Sequence, residues 1–131
     1  MADIKLPWVA GHRGGANIYP EHSLEAYRAT SDAGFIPEVD LYKLADGKYA
    51  CIHDATVNRT MVGVTGNVSA LTSAEFKRGK VTNPIPGGDY GTPVLFDELL
   101  EEFGGRPLLI EAKVASEGFE IVAAIQAKGL T

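Results

Sequence analysis

Glu38 and Asp40 stand two apart within the apolar run Phe35-Ile36-Pro37-Glu38-Val39-Asp40-Leu41. On a β-strand that spacing puts both carboxylates on one face. Two carboxylates on a buried face are costly unless something compensates them. A hard cation such as Mg²⁺ or Ca²⁺, which takes oxygen ligands, is the natural compensation. The alternative is a solvated pair on an exposed strand face, and the flanking Phe35, Ile36, Val39 and Leu41 argue against it. Glu111 and Lys113 repeat the spacing after Leu108-Leu109-Ile110. An apolar strand that ends in charged residues is what the C-terminal rim of an α/β barrel presents. A strand that simply emerges into solvent gives the same pattern.

His12-Arg13 and His53-Asp54 both fall at the ends of predicted strands. A lone histidine is more often structural. Two at equivalent strand ends, facing a metal site, suit a general acid and a general base, without fixing which is which. Arg13 can grip phosphate oxygens with its planar fork of donors. There is no cysteine/histidine cluster with zinc spacing and no Walker loop. Gly11-His12-Arg13-Gly14-Gly15 lacks the spacing of a dinucleotide-binding turn.

Strands and helices alternate around these groups. A short strand over 8–12 runs into Gly14-Gly15, and Ser23 caps a helix that Gly34 stops near Ala33. Strands follow over 35–42 and 48–53, separated by Asp46-Gly47. Gly63 and Gly66 mark a long loop. Thr72 and Glu75 have capping-box spacing, with Leu71 and Phe76 placed as a hydrophobic staple. After an irregular stretch over 83–93, Leu95, Leu99 and Phe103 lie at helical spacing, ended by Gly104-Gly105. A fourth strand spans 107–113, and Phe119, Val122 and Ile125 give the face of a last helix. This order favours parallel strands covered by helices. The gap between the second and third strands is short. It holds either a hairpin around Asp46-Gly47 or a crossover cut down to a loop.

Composition narrows the function. The 131 residues suit one domain, residues 1–131. A net charge of −5 speaks against wholesale binding to nucleic acid but not against a small anionic ligand. The single cysteine, Cys51, excludes an internal disulfide and fits a reducing, cytoplasmic compartment. No signal peptide or membrane span is visible; a place in a larger extracellular particle stays open.

Taken singly these signals are weak; their order is specific. Gly11-His12-Arg13-Gly14, Pro20-Glu21-His22-Ser23, Glu38-Val39-Asp40, Asp46-Gly47, His53-Asp54, Asn58-Arg59-Thr60, Thr92-Pro93-Val94-Leu95 and Ile110-Glu111-Ala112-Lys113 together resemble the glycerophosphodiester phosphodiesterase family, from about Val9 to Lys113. The resemblance implies an α/β fold of the TIM-barrel type. It implies hydrolysis of a small-molecule phosphodiester to glycerol 3-phosphate and an alcohol, within glycerol and lipid metabolism. Glu38, Asp40 and Glu111 would then bind one divalent cation, Mg²⁺ or Ca²⁺. His12 and His53 would be the acid/base pair, and Arg13 and Lys113 would hold the phosphate. A sphingomyelinase-D-like phospholipase and a non-catalytic phosphodiester- or teichoic-acid-binding module are the competing expectations.

The chain departs from the family pattern twice. Glu21-His22-Ser23 replaces the usual Glu-Asn-Thr, so His22 stands for an amide; the expectation is a supporting or exposed group, not a third catalytic histidine. A TIM barrel also takes about 250 residues, so 131 residues are expected to form only its N-terminal half, about four strand-helix units. Val9, Ile36 and Ile52 would line an inner face without an opposite wall. The expected partner is therefore a second copy, or the C-terminal half of a longer chain.

Overall fold

The computed structural model describes residues 9–130. Trp8 of the predicted first strand, Thr131 and the N-terminal run that would carry a targeting signal lie outside them. Strand β1 (Ala10–Gly11) leads through a turn of 3-10 helix at His12–Gly14 to helix α1 (Leu24–Asp32). Ser23 caps α1 as expected, its side chain accepting from the Ala26 amide, and Gly34 beyond the end takes φ +87°.

Strand β2 (Ile36–Lys43) is the centre of the sheet. It pairs in parallel with β1, and in parallel with β6 (Leu109–Ala112). Its far end turns back at Asp46-Gly47 into β3 (Tyr49–Cys51), which pairs with it antiparallel. The hairpin is thus the arrangement that forms. Three of the four expected strands run parallel, and the third is a ribbon hung on the end of β2. The result is a mixed α/β partial barrel wall with helices against it. Gly47, at φ +85°, supplies the left-handed residue the turn needs. Asp46 accepts from the Ser73 amide and hydroxyl, which ties the turn to the next helix.

That helix, α2 (Ser73–Arg78), has the capping box read from Thr72 and Glu75. It follows β4 (Met61–Val62) and precedes β5 (Lys80–Val81), an antiparallel pair where the sequence reading assigns no strand. Two residues per strand are too few for a pattern of period two to show. Helix α3 (Phe96–Phe103) buries Phe96, Leu99, Leu100 and Phe103.

The interior has two parts. One packs α1, β2 and α3 around Tyr27, Val39, Leu41, Leu99 and Phe103. The other lies under the hairpin and the loop after it, around Ile52, Val57, Met61, Val68 and Phe76. Ile52 therefore lines no barrel interior; Val9 is exposed and Ile36 half-buried.

Helix α4 (Gly118–Ala127) corrects a second expectation. Ile121 is its buried residue, with Ala124 and Ile125 packed beside the core, whereas Phe119 is 88% exposed and Val122 is also exposed. Its sequence is apolar nearly all round, so periodicity does not select a face. Glu120 does. Lys43 Nζ (2.7 Å) and the Tyr49 hydroxyl (2.6 Å) both donate to its carboxylate and set the rotation of the helix.

Candidate active site

The register of the parallel pair builds the site. Asp40 on β2 lies beside Glu111 on β6, and the strand period brings Glu38 to the same face. Carboxylate oxygens of Glu38, Asp40 and Glu111 all lie within 4.8 Å of one another. Lys113 follows on the rim, its Nζ 3.4 Å from Glu111 and 3.8 Å from Asp40. Four of the predicted residues are thereby gathered at one strand end.

The first turn supplies two more. His12 is largely exposed, with Nε2 3.9 Å from Glu38. The Arg13 amide donates to Glu38 Oε2 at 3.1 Å. Gly14 lets this turn lie close: a Cβ there would sit 2.9 Å from the Tyr27 ring. Among the described residues, Arg13 (φ +49°) and His22 (φ +54°) are the non-glycine residues with left-handed backbone. Such conformations cost about 1–3 kcal/mol each and gather at functional sites. Here the two are joined, because the His22 amide donates to the Arg13 carbonyl at 2.9 Å.

His53 meets Asp54, not the triad, with Nδ1 2.8 Å from Oδ1. Asp54 belongs to a network that returns to the first turn. Arg59 donates to both Asp54 oxygens (2.7 and 3.1 Å) and to both Glu21 oxygens (2.7 and 3.0 Å). Glu21 also accepts from Arg13 at 3.4 Å. Sequence reasoning places Glu21, Asp54 and Arg59 in motifs without giving them this task. The pairing of Arg59 with Glu21 joins distant segments and leaves no local pattern.

The Arg59 guanidinium holds the Asp54 carboxyl well below the usual carboxylate range, against a smaller effect of burial. Burial alone would raise Glu21, but Arg59 and Arg13 bring it below its ordinary value. Both folded-state values lie under the unfolded ones. The pairs therefore stabilise the fold above about pH 4, the unfolded carboxylate range, and lose that contribution as pH falls through the folded values. Arg59→Ala should cost on the order of 1 kcal/mol at pH 7, as for partly exposed pairs. Thermal unfolding across pH should show the two proteins converging below about pH 4. A gap that persists in acid would mean that Arg59 acts through packing.

Asp40 is fully buried, with Oδ2 2.9 Å from His22 Nε2. Burial would raise its carboxyl, but the hydrogen bond from His22 and the nearby Lys113 ammonium bring it below its ordinary value. Its other oxygen, Oδ1, is buried without a hydrogen-bond partner among the described residues. Buried acceptors are rarely left so. A divalent cation shared with Glu38 and Glu111 would satisfy it, and an all-oxygen donor set suits Mg²⁺ or Ca²⁺. No helix among the described residues is long and apolar enough to cross a membrane.

A model of the glycerophosphoryl diester phosphodiesterase family matches residues 12–130. The chain is 31% identical over 113 residues to the glycerophosphodiester phosphodiesterase of Caldanaerobacter subterraneus subsp. tengcongensis, covering 82% of this chain and 45% of that protein. It is 40% identical over 68 residues to glycerophosphodiester phosphodiesterase 1 of Bos taurus, covering 51% of this chain and 20% of that protein. Among solved structures, a glycerophosphodiester phosphodiesterase from Agrobacterium tumefaciens superposes with a TM-score of 0.83 at 26% identity, over 94% of this chain and 54% of that one. An Oleispira antarctica phosphodiesterase in complex with the product sn-glycerol-3-phosphate superposes with a TM-score of 0.74 at 26% identity, over 94% of this chain and 51% of that one. The chain thus spans half or less of the length of these curated relatives and about half of these structures. The family match runs from the first strand end to the last helix, and by it this chain belongs to the glycerophosphoryl diester phosphodiesterase family.

Proposed function

We propose that the chain carries the catalytic centre for metal-dependent hydrolysis of glycerophosphodiesters to glycerol 3-phosphate and an alcohol. The observation that carries this reading is Asp40, clustered with Glu38 and Glu111, whose buried Oδ1 beside Lys113 has no hydrogen-bond partner among the described residues. Glu38, Asp40 and Glu111 would hold one Mg²⁺ or Ca²⁺. When bound, the ion supplies positive charge against the phosphoryl oxygens, where negative charge grows in the transition state. Lys113 and Arg13 hold the phosphate. Arg13 has donors to spare, since its Nε has no partner among the described residues and its contact with Glu21 is long.

His53 and His12 handle the protons. With Nδ1–H of His53 donating to Asp54, its Nε2 is left to accept a proton from the attacking hydroxyl. His12, with Nε2 3.9 Å from Glu38 and open to solvent, returns a proton to the leaving alkoxide. A bond from phosphorus to the attacking oxygen forms, and the bond to the alcohol breaks. The attacker is water or the 2-hydroxyl of the glycerol, and ³¹P NMR of early reaction times separates them by the presence of a cyclic phosphate. The product sn-glycerol-3-phosphate bound by the Oleispira relative supports the substrate class.

The test is glycerol 3-phosphate release from glycerophosphocholine with Mg²⁺ or Ca²⁺. Preferential cleavage of sphingomyelin would replace this reading with the phospholipase. Binding of a polyglycerolphosphate without turnover would replace it with the binding module.

The reading includes a partner. Strand β6 has one edge unpaired among the described residues, and Leu109, Phe119 and Val122 are exposed nearby in sequence. An open edge with exposed apolar groups invites pairing. The 131-residue chain should therefore elute as a dimer by size exclusion with light scattering, unless the rest of a longer chain covers that edge. A cooperatively folding monomer of the 131-residue chain would show that the partial wall stands alone.

A further inference from the structure

His22 has none of the roles assigned above, yet its side chain is 2% exposed in the middle of the site. Its Nε2 lies 2.9 Å from Asp40 Oδ2, and its Nδ1 lies 2.5 Å from the Tyr27 hydroxyl. Tyr27 is fully buried, and burial pushes its phenol well above the ordinary value, so the hydroxyl keeps its proton and can donate it. The geometry points to a positioning relay: Tyr27 O–H donates to Nδ1 of His22, which leaves Nε2–H to donate to Asp40.

The relay decides which oxygen of Asp40 is free. Oδ2 is occupied by His22, and Oδ1, 3.8 Å from Lys113 Nζ, is the oxygen left buried without a hydrogen-bond partner among the described residues. A carboxylate fixed at one oxygen cannot swing its plane, so the other stays aimed at the cation. The strained backbone of His22 fits this role. A left-handed φ of +54° is held by the bond from its amide to the Arg13 carbonyl, and it brings the ring inward between α1 and β2. We infer that His22 and Tyr27 together set the cation affinity of this chain through Asp40, without touching substrate. The inference rests on the metal reading given above.

Binding of Ca²⁺ and Mg²⁺ to the 131-residue chain, followed by calorimetry without substrate, tests it. Groups that orient metal ligands are worth about 10–100-fold in affinity. His22→Ala should raise Kd by about that factor. His22→Gln, whose amide nitrogen stands near the place of Nε2, should recover most of the affinity. Tyr27→Phe removes one oxygen from the interior and keeps the test alive where His22→Ala does not fold. It should weaken binding several-fold while the metal-free protein still unfolds cooperatively. Wild-type affinity in Tyr27→Phe, or equal losses in His22→Gln and His22→Ala, would overturn the relay. Absence of saturable binding by the wild-type chain would overturn the metal reading itself, and is thereby told apart from a failure of the relay.

Discussion

Chelation should take turnover of this chain to background, and added Mg²⁺ or Ca²⁺ should restore it. The expectation follows from charge. Three carboxylates within 4.8 Å, one of them fully buried, repel one another, with Lys113 the neighbouring ammonium among the described residues. A phosphodiester anion would enter that field unfavourably unless a cation reversed its sign. Asp40→Asn should act in the same direction, because the amide removes the charge of the fully buried carboxylate of the three. A loss of several kcal/mol of transition-state stabilisation corresponds to about 10²-fold or more in rate. The measurement is kcat against free metal concentration. Undiminished turnover in EDTA would remove the cation from the chemistry, and zinc dependence would contradict the all-oxygen donor set.

His53→Ala should lower kcat by about 10²–10⁴-fold, the usual worth of a general acid or base. His12→Ala should cost a comparable factor. The two should differ in how substrates respond. A leaving alcohol of low pKa, such as a nitrophenol, needs little proton donation. His12→Ala should therefore be largely rescued on a glycerophosphodiester with that leaving group, while His53→Ala should not. The reverse pattern would exchange the two roles. Neither change should unfold the protein: His12 is exposed, and His53 is only partly buried against its partner Asp54. Asp54→Asn offers an internal control. It keeps an acceptor for Nδ1–H of His53 but loses the charge that Arg59 grips, so it should lower activity less than His53→Ala.

Both predictions concern residues that are legible in the amino-acid sequence alone, and the reason is locality. Glu38 and Asp40 share a face because a strand repeats every two residues, which needs nothing beyond the strand itself. Ser23 caps α1, and Thr72 with Glu75 caps α2, because capping is settled within four residues. The ordered motifs point to the family, and the family match over residues 12–130 bears this out.

The tertiary structure decided what distance along the chain hides. Asp40 and Glu111 become neighbours only through the register of β2 on β6. The strand after Asp46-Gly47 turns back as a hairpin because the link is too short for the covered crossover that parallel neighbours use. The rotation of α4 follows from Lys43 and Tyr49 meeting Glu120, since an almost wholly apolar helix has no preferred face of its own. His22 shows the difference most plainly. Its type and position say only that an amide has been replaced. That it lies buried between Tyr27 and Asp40 depends on the packing of α1 against β2 and on a left-handed backbone, neither of which a one-dimensional pattern encodes.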